Sequence, residues 1–228
     1  HIPEQSVART VNFAVDQGAR QFAALIPQGE YGDRVLGALQ QAAQARGVQI
    51  TRTERYSRGN RSVISAASRL NAAGSFDTVL IGDGARVAST TAGDPKEAGD
   101  ALPSIIGTEL WSGERDLANT PELRGAWFSA VNDDRYRQFA QSYDSRFGGQ
   151  PFRISTLGYD SVLLTLRISR EWQPGRDFPV GKLLDDGGFL GLDGAFRFRS
   201  NGLGERAMEV RQVGAGNFST IDAAPTRF

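Results

Sequence analysis

Gln21–Pro27 (QFAALIP) is a short, nearly all-apolar run, and together with the helix after it this run points to an α/β fold. A strand covered on both faces reads as a continuous apolar stretch rather than an alternating one. Asp33 to Arg46 then places Val35, Leu36, Leu39, Ala42 and Ala43 on one helical stripe and stops at Gly47, a C-cap. Val48–Tyr56 alternates like a strand. Ser62 opens a second helix carrying Ile64, Ala67 and Leu70, and Asp77–Ile81 is the next strand. Upstream, Pro3-Glu4 suits a first helical turn, with Val7, Val11, Ala14 and Val15 on one face and Gly18 as its cap. Ser104–Thr108 and Gly125–Val131 supply two more strands, with a polar stretch holding Gly113 and Pro121 between them. Strands separated by helices imply right-handed βαβ units and a parallel sheet. Five strands make a complete small α/β lobe.

The pattern changes after Val131. Asp133–Phe147 reads as a helix with Tyr136, Phe139, Tyr143 and Phe147 on one face. Ile154–Trp172 reads as a longer helix whose Leu157, Val162, Leu163, Leu164, Leu166 and Ile168 occupy more than one side. A helix that apolar calls for cover on several faces. Phe196–Phe198, Ala207–Val213 and Asn217–Ile221 read as antiparallel strands, with turns at Ser200–Gly204 and Gly214–Gly216.

Composition narrows the function. Lys plus Arg equal Asp plus Glu, at 26 each, so the neutral chain lacks the basic excess of a nucleic-acid binder. No apolar run approaches the ~20 residues of a membrane span. With no cysteine there is no disulfide, thiolate site or cysteine nucleophile. The chain opens on His1 with no leader, which reads as a processed or partial chain. That histidine is also the only one, so neither a serine–histidine triad nor a histidine metal cage assembles. We therefore expect no catalytic residues, no metal and no cofactor.

Several motifs fade on inspection. Gly82-Asp83-Gly84 follows a strand, but Val87 stands where a dinucleotide loop needs Gly or Ala. Gly202–Ala207 satisfies G-x-G-x-x-A yet leads into a strand, so no helix N-terminus awaits a pyrophosphate. Adjacent carboxylates at Asp133–Asp134 and Asp185–Asp186 suit helix ends rather than acid–base catalysis. Arg52–Arg61 (RTERYSRGNR) reads as a solvated strand edge and loop.

Several phrases together carry a resemblance: "ALIPQGEYGDRVLGAL" (Ala24–Leu39), "FDTVLIGDG" (Phe76–Gly84), "IIGTELW" (Ile105–Trp111), "LRGAWFSAV" (Leu123–Val131), "FAQSYDSRFGGQP" (Phe139–Pro151) and "LGYDSVLL" (Leu157–Leu164). As a set they resemble the leucine/isoleucine/valine-binding family of type I periplasmic binding proteins. The tail "GFLGLDGAFRFRSNGLGERAMEV" (Gly188–Val210) is most similar to the penicillin-binding-protein activator branch. The family fold is two Rossmann-like lobes with ligand in the cleft between them. The resemblance implies that residues 1–131 form the second lobe and 132–193 supply helices of an incomplete first lobe. Residues 194–228 would be antiparallel strands returning to the second lobe. The first lobe's own sheet has no counterpart in this sequence.

In open α/β folds the ligand crevice lies beyond the carboxyl ends of the strands. That selects Gln28, Glu30 and Tyr31 after the first strand, Asp83 and Gly84 after the third, and Glu109 and Trp111 after the fourth. By resemblance, Tyr31 packs on the ligand and Glu109 receives a ligand ammonium, with Trp111 adding apolar or cation–π contact. One departure is that amino-acid receptors tend to carry aromatics after this "GDG", where Ala85 and Arg86 stand here. The leading expectation is a non-enzymatic, periplasmic module of the activator type, with a lipid anchor on the full-length protein left open. Its partners would be a small molecule in the interlobe cleft or a cell-wall synthase, plus the missing first lobe or an oligomeric partner. The alternatives are a substrate-binding receptor of an ABC importer for amino acids or related small molecules, and an enzyme on the same scaffold.

Overall fold

A computed structural model describes residues 2–57, 59–91, 103–173 and 175–228. His1, and Arg58 of the basic run, lie outside them. The chain divides into two compact units, the first comprising residues 1–130 and 210–222, the second 131–209 and 223–228.

In the first unit, α1 (Pro3–Asp16), β1 (Gln21–Pro27), α2 (Glu30–Arg46), β2 (Gln49–Tyr56), α3 (Asn60–Ala73), β3 (Thr78–Ile81), α4 (Ala85–Thr91), β4 (Ser104–Ile106) and β5 (Trp127–Ala130) follow in order. Strands β1 and β2 pair in parallel, as do β1 and β3, β3 and β4, and β4 and β5. The mixed α/β fold with a mostly parallel sheet follows from β1. Its even-numbered Phe22, Ala24 and Ile26 pack against Val7, Val11, Val35 and Leu39 of α1 and α2. Its odd-numbered Ala23 and Leu25 meet Val63, Ala66 and Leu70 of α3 on the other face. Successive strand side chains point to opposite faces, so helices on both sides demand an apolar residue at every position.

Local boundaries differ from the sequence expectations. Helix α3 begins at Asn60 rather than Ser62, and Val63, not the half-exposed Ile64, faces the core. Val63, Ala66, Ala67 and Leu70 are the i, i+3, i+4, i+7 set. Helix α4 has no counterpart among those expectations, because a seven-residue segment is too short for a periodicity to show. The polar stretch between β4 and β5 folds into three short 3-10 turns that bury Trp111, Leu117 and Leu123 beside Phe128. The basic run from Arg52 to Tyr56 lies on β2, the edge strand, and Arg61 stands in α3. There Arg52 (2.5 Å) and Arg69 (2.8 Å) pair with Glu54, and Arg55 pairs with Asp33 (2.6 Å).

The second unit holds α5 (Asp134–Phe147), α6 (Ser155–Ser169), β6 (Phe189–Gly191), β7 (Gly194–Phe198) and β8 (Gly204–Arg206). Strands β6, β7 and β8 form a separate antiparallel sheet. This corrects the expected boundary: β7 and β8 do not join the large sheet with the rest of 194–228. Gly194 (φ 88°) turns the chain tightly back from β6 to β7, and Phe189 packs on Phe196 with ring centroids 5.7 Å apart. A tight turn makes the local antiparallel pairing available first. By contrast β9 (Glu209–Val213) and β10 (Phe218–Asp222) lie in the seven-stranded sheet, in the order β10-β9-β5-β4-β3-β1-β2.

Helix α6 covers the small sheet with one row, Thr156, Asp160, Leu164 and Ile168, all buried. Thr156 Oγ1 donates to Asp193 Oδ2 (2.8 Å), and the Leu192 amide donates to Asp160 Oδ1 (2.9 Å). Burial pushes the Asp160 carboxyl above the usual carboxylate range, with Asp193 acting in the same sense. The Leu192 amide and the charges of Arg206 and Arg135 oppose it.

Candidate functional site

The strand order sets the position of the site. Strand β1 lies between β2 and β3, so the chain leaves β1 toward one edge and returns to the other side of it at β3. The flanking connections part there, opening a crevice at the carboxyl ends of the strands. A cleft of about 750 Å³ occupies that place, entirely within the first unit. Five of the seven residues expected from sequence line it: Gln28, Glu30 and Tyr31 beyond β1, and Asp83 and Gly84 beyond β3.

Helix α2 begins at Glu30, so Glu30 and Tyr31 stand in its first turn rather than in a loop. The approach of α2 to β1 is close enough that a Cβ on Gly32 would land on the Pro27 carbonyl oxygen. That backbone oxygen has nowhere to yield. Gly32→Ala should therefore destabilise the protein by about 1–3 kcal/mol, read from urea unfolding.

Tyr31 is held by a short hydrogen-bond chain. Its hydroxyl lies 3.0 Å from Thr108 Oγ1 and donates to Glu109 Oε1 at 3.3 Å. Burial pushes the phenol well above its ordinary pKa; Thr108 opposes this, while the charges of Glu109 and Asp83 add to it. The phenol consequently stays protonated and donates at any physiological pH. The Glu109 amide donates to Ser6 Oγ of α1 (2.8 Å), which fixes the residue's backbone. Glu109 is 9% exposed, and its second oxygen, Oε2, is buried with no hydrogen-bond partner among the described residues. A buried acceptor without a donor costs about 1–3 kcal/mol, so a donor supplied from outside would be strongly received.

Two expectations need correction or refinement. Trp111 makes no contact with the cleft: it is fully buried, and its indole N–H donates to the Asp83 carbonyl at 2.8 Å. Gly107 packs against the face of that indole, leaving no room for a Cβ. Trp111 is thus a brace for Asp83, since the short 3-10 turn after Thr108 folds its side chain inward. Glu109 stands behind Tyr31 rather than on the cleft wall.

Sequence reasoning overlooked Tyr56, read only as part of a basic run. Its side chain is 2% exposed and donates to Asp83 Oδ2 at 2.6 Å, while the Gly84 amide donates to Asp83 Oδ1 at 2.7 Å. Burial, then the adjacent Asp83 carboxylate, pushes the Tyr56 phenol well above its usual range. Arg86 and Glu114 also line the cleft. The usable signal for Tyr56 was its place as the last residue of β2, at the same sheet end as Gln28 and Asp83. Among the described residues no cluster of His, Asp or Glu is placed to hold a metal ion.

An open α/β sheet with a polar, side-chain-lined cleft at its reversal point defines a ligand-binding lobe. The chain belongs to the periplasmic binding protein family, whose model matches residues 1–217. Its fold is that of the type I, leucine-binding proteins. A branched-chain amino acid ABC transporter periplasmic ligand-binding protein from Burkholderia xenovorans superposes with a TM-score of 0.71 at 16% identity, covering 98% of this chain and 63% of that one. An ABC transporter substrate-binding protein from Desulfitobacterium hafniense in complex with Leu gives 0.65 at 20% identity, covering 96% of this chain and 65% of that one. A solute binding protein of an ABC transporter from Rhodopseudomonas palustris, in complex with 3,4-dihydroxybenzoic acid, gives 0.64 at 18% identity, covering 99% and 64%. The chain thus spans just under two thirds of the length of these proteins. No curated protein matches the sequence.

Proposed function

We propose that this chain is the ligand-holding part of a non-catalytic receptor for a small molecule that carries an amino group. The observation that carries the reading is the buried Oε2 of Glu109, without a hydrogen-bond partner among the described residues and one hydrogen bond behind the cleft-lining Tyr31. On binding, Tyr31 would turn aside and a ligand ammonium would satisfy this oxygen through a charge-assisted bond. A similar protein of this fold in complex with Leu supports the amino group, and one in complex with 3,4-dihydroxybenzoic acid supports small-molecule binding alone. The site lies outside the cytoplasm, as the family implies, and no described helix is long and apolar enough to cross a membrane. The second lobe is our reading of the first unit, and a first lobe that includes α5 and α6 is our reading of the second.

The test is calorimetric titration of the full-length protein with amino-bearing and amino-free ligands. Glu109→Gln should weaken the amino-bearing ligand by about 1.5–3 kcal/mol, roughly 10- to 150-fold, because a charged hydrogen bond is lost. An unchanged dissociation constant would remove Glu109 from the site.

A second reading, a penicillin-binding-protein activator that contacts a cell-wall synthase, is favoured by the Gly188–Val210 tail. That tail folds as β6, β7 and β8, leaving Leu190 and Leu203 about half exposed. Tight binding of a purified synthase, with no small molecule bound, would select it over the receptor.

A further inference from the structure

The cleft's charge singles out a narrower class of ligand, an inference that rests on the receptor reading. Among the described residues, three carboxylates, Glu30, Asp83 and Glu114, line it against one guanidinium, Arg86. The N-termini of α2 and α3 open beside it, at Gly29 and Gly59. Each contributes about half a positive charge. Together they offset one carboxylate, so the wall keeps an excess of negative charge before Glu109 is added. Such a cleft concentrates cations and repels free carboxylates.

Asp83 is the carboxylate built to recognise something. Glu30 and Glu114 are exposed, whereas Asp83 is half-buried and clamped at three points. Tyr56 Oη holds Oδ2, the Gly84 amide holds Oδ1, and Trp111 Nε1 holds the main-chain carbonyl. An ionised carboxylate offers about four acceptor positions, and these bonds use two of the side chain's. Asp83 lines the cleft, and its clamp leaves acceptor positions over for a donor that enters there. Preorganisation of this kind lowers the cost of binding. Glu109 lies behind Tyr31 and provides the second acceptor once the Tyr31 side chain turns aside, its Oε2 having no hydrogen-bond partner among the described residues.

We propose that the cleft selects ligands bearing two cationic nitrogen groups, Glu109 receiving one and Asp83 the other. Free basic amino acids and peptides carrying a basic side chain share this chemistry. A monoamine such as leucine would leave the Asp83 acceptors to water, and an aromatic carboxylate would meet the acidic wall directly.

The experiment titrates the full-length protein with L-lysine, alanyl-lysine, L-leucine and benzoate by isothermal calorimetry. Either lysine compound should bind at least tenfold more tightly than leucine, and the better of the two identifies a free or a peptide-borne source. Asp83→Asn keeps an oxygen to accept the Gly84 amide and should cut the lysine-to-leucine affinity ratio about tenfold. Urea unfolding of Asp83→Asn beside the unsubstituted protein, with matching midpoints expected, separates the loss of charge from a folding defect. Leucine or benzoate binding as tightly as lysine, or a ratio untouched by Asp83→Asn, overturns the two-cation assignment alone. If none of the four binds, both this assignment and the receptor reading fall.

Discussion

Replacing Trp111 with alanine is expected to lower the unfolding free energy by about 3–5 kcal/mol and to weaken ligand binding at a cleft the indole does not line. The stability loss comes from packing. Trp111 is fully buried beside Phe128, with ring centroids 6.1 Å apart, and Gly107 has no side chain to fill the hole. A loss of that size is a large part of the 5–15 kcal/mol that holds a typical domain together. The binding loss comes from the hydrogen bond to the Asp83 carbonyl, which sets the depth of the Asp83 carboxylate in the cleft. Trp111→Phe separates the two effects. It keeps most of the apolar volume and removes only the N–H, so it should cost less stability while still loosening Asp83. Urea unfolding and calorimetric titration of both variants measure this. Full affinity in Trp111→Phe would show that the brace is dispensable.

The second large effect concerns the outer side of α6. Leu157, Val162, Leu163 and Leu166 are 48–61% exposed, flanking or opposite the row that packs on β6. Covering the exposed half of each side chain stabilises by about 1 kcal/mol. A chain limited to these 228 residues is therefore expected to self-associate in sedimentation velocity. Leu163→Asp should suppress that association and shift stability by no more than about 0.5 kcal/mol, as exposed positions do. In a protein that includes the proposed first lobe, the same substitution should cost at least about 2 kcal/mol, because the position is then a core one. Equal behaviour in the two settings would mean that the first lobe does not cover α6.

The contrast between Gln21–Pro27 and α6 shows what a sequence can announce. An unbroken apolar strand flanked by capped helices has few places to go, and β1 lies in the sheet with helices on both faces. Glycines at Gly47 and Gly148, both left-handed, end α2 and α5 where the pattern stops. The crevice residues Gln28, Tyr31 and Asp83 were legible because a parallel sheet puts its strand ends together. The apolar excess of α6 was equally legible, although its partner was not.

What the sequence by itself determined is local and periodic: the order of strands and helices, the parallel sheet they imply, and the end of it that bears the cleft. Only the tertiary structure decided which side chains meet there. Trp111 looked like a ligand contact and is a buried brace, because a 3-10 turn rotates it inward onto Gly107. Tyr56 looked like one member of a charged edge and grips Asp83, 27 residues away. β9 and β10 lie in the large sheet while β7 and β8 pair with β6 in a separate one, a choice of partners that no single strand's pattern records. Hydrogen bonds and close packing act over a few ångströms between residues far apart in the chain, and no local periodicity records them.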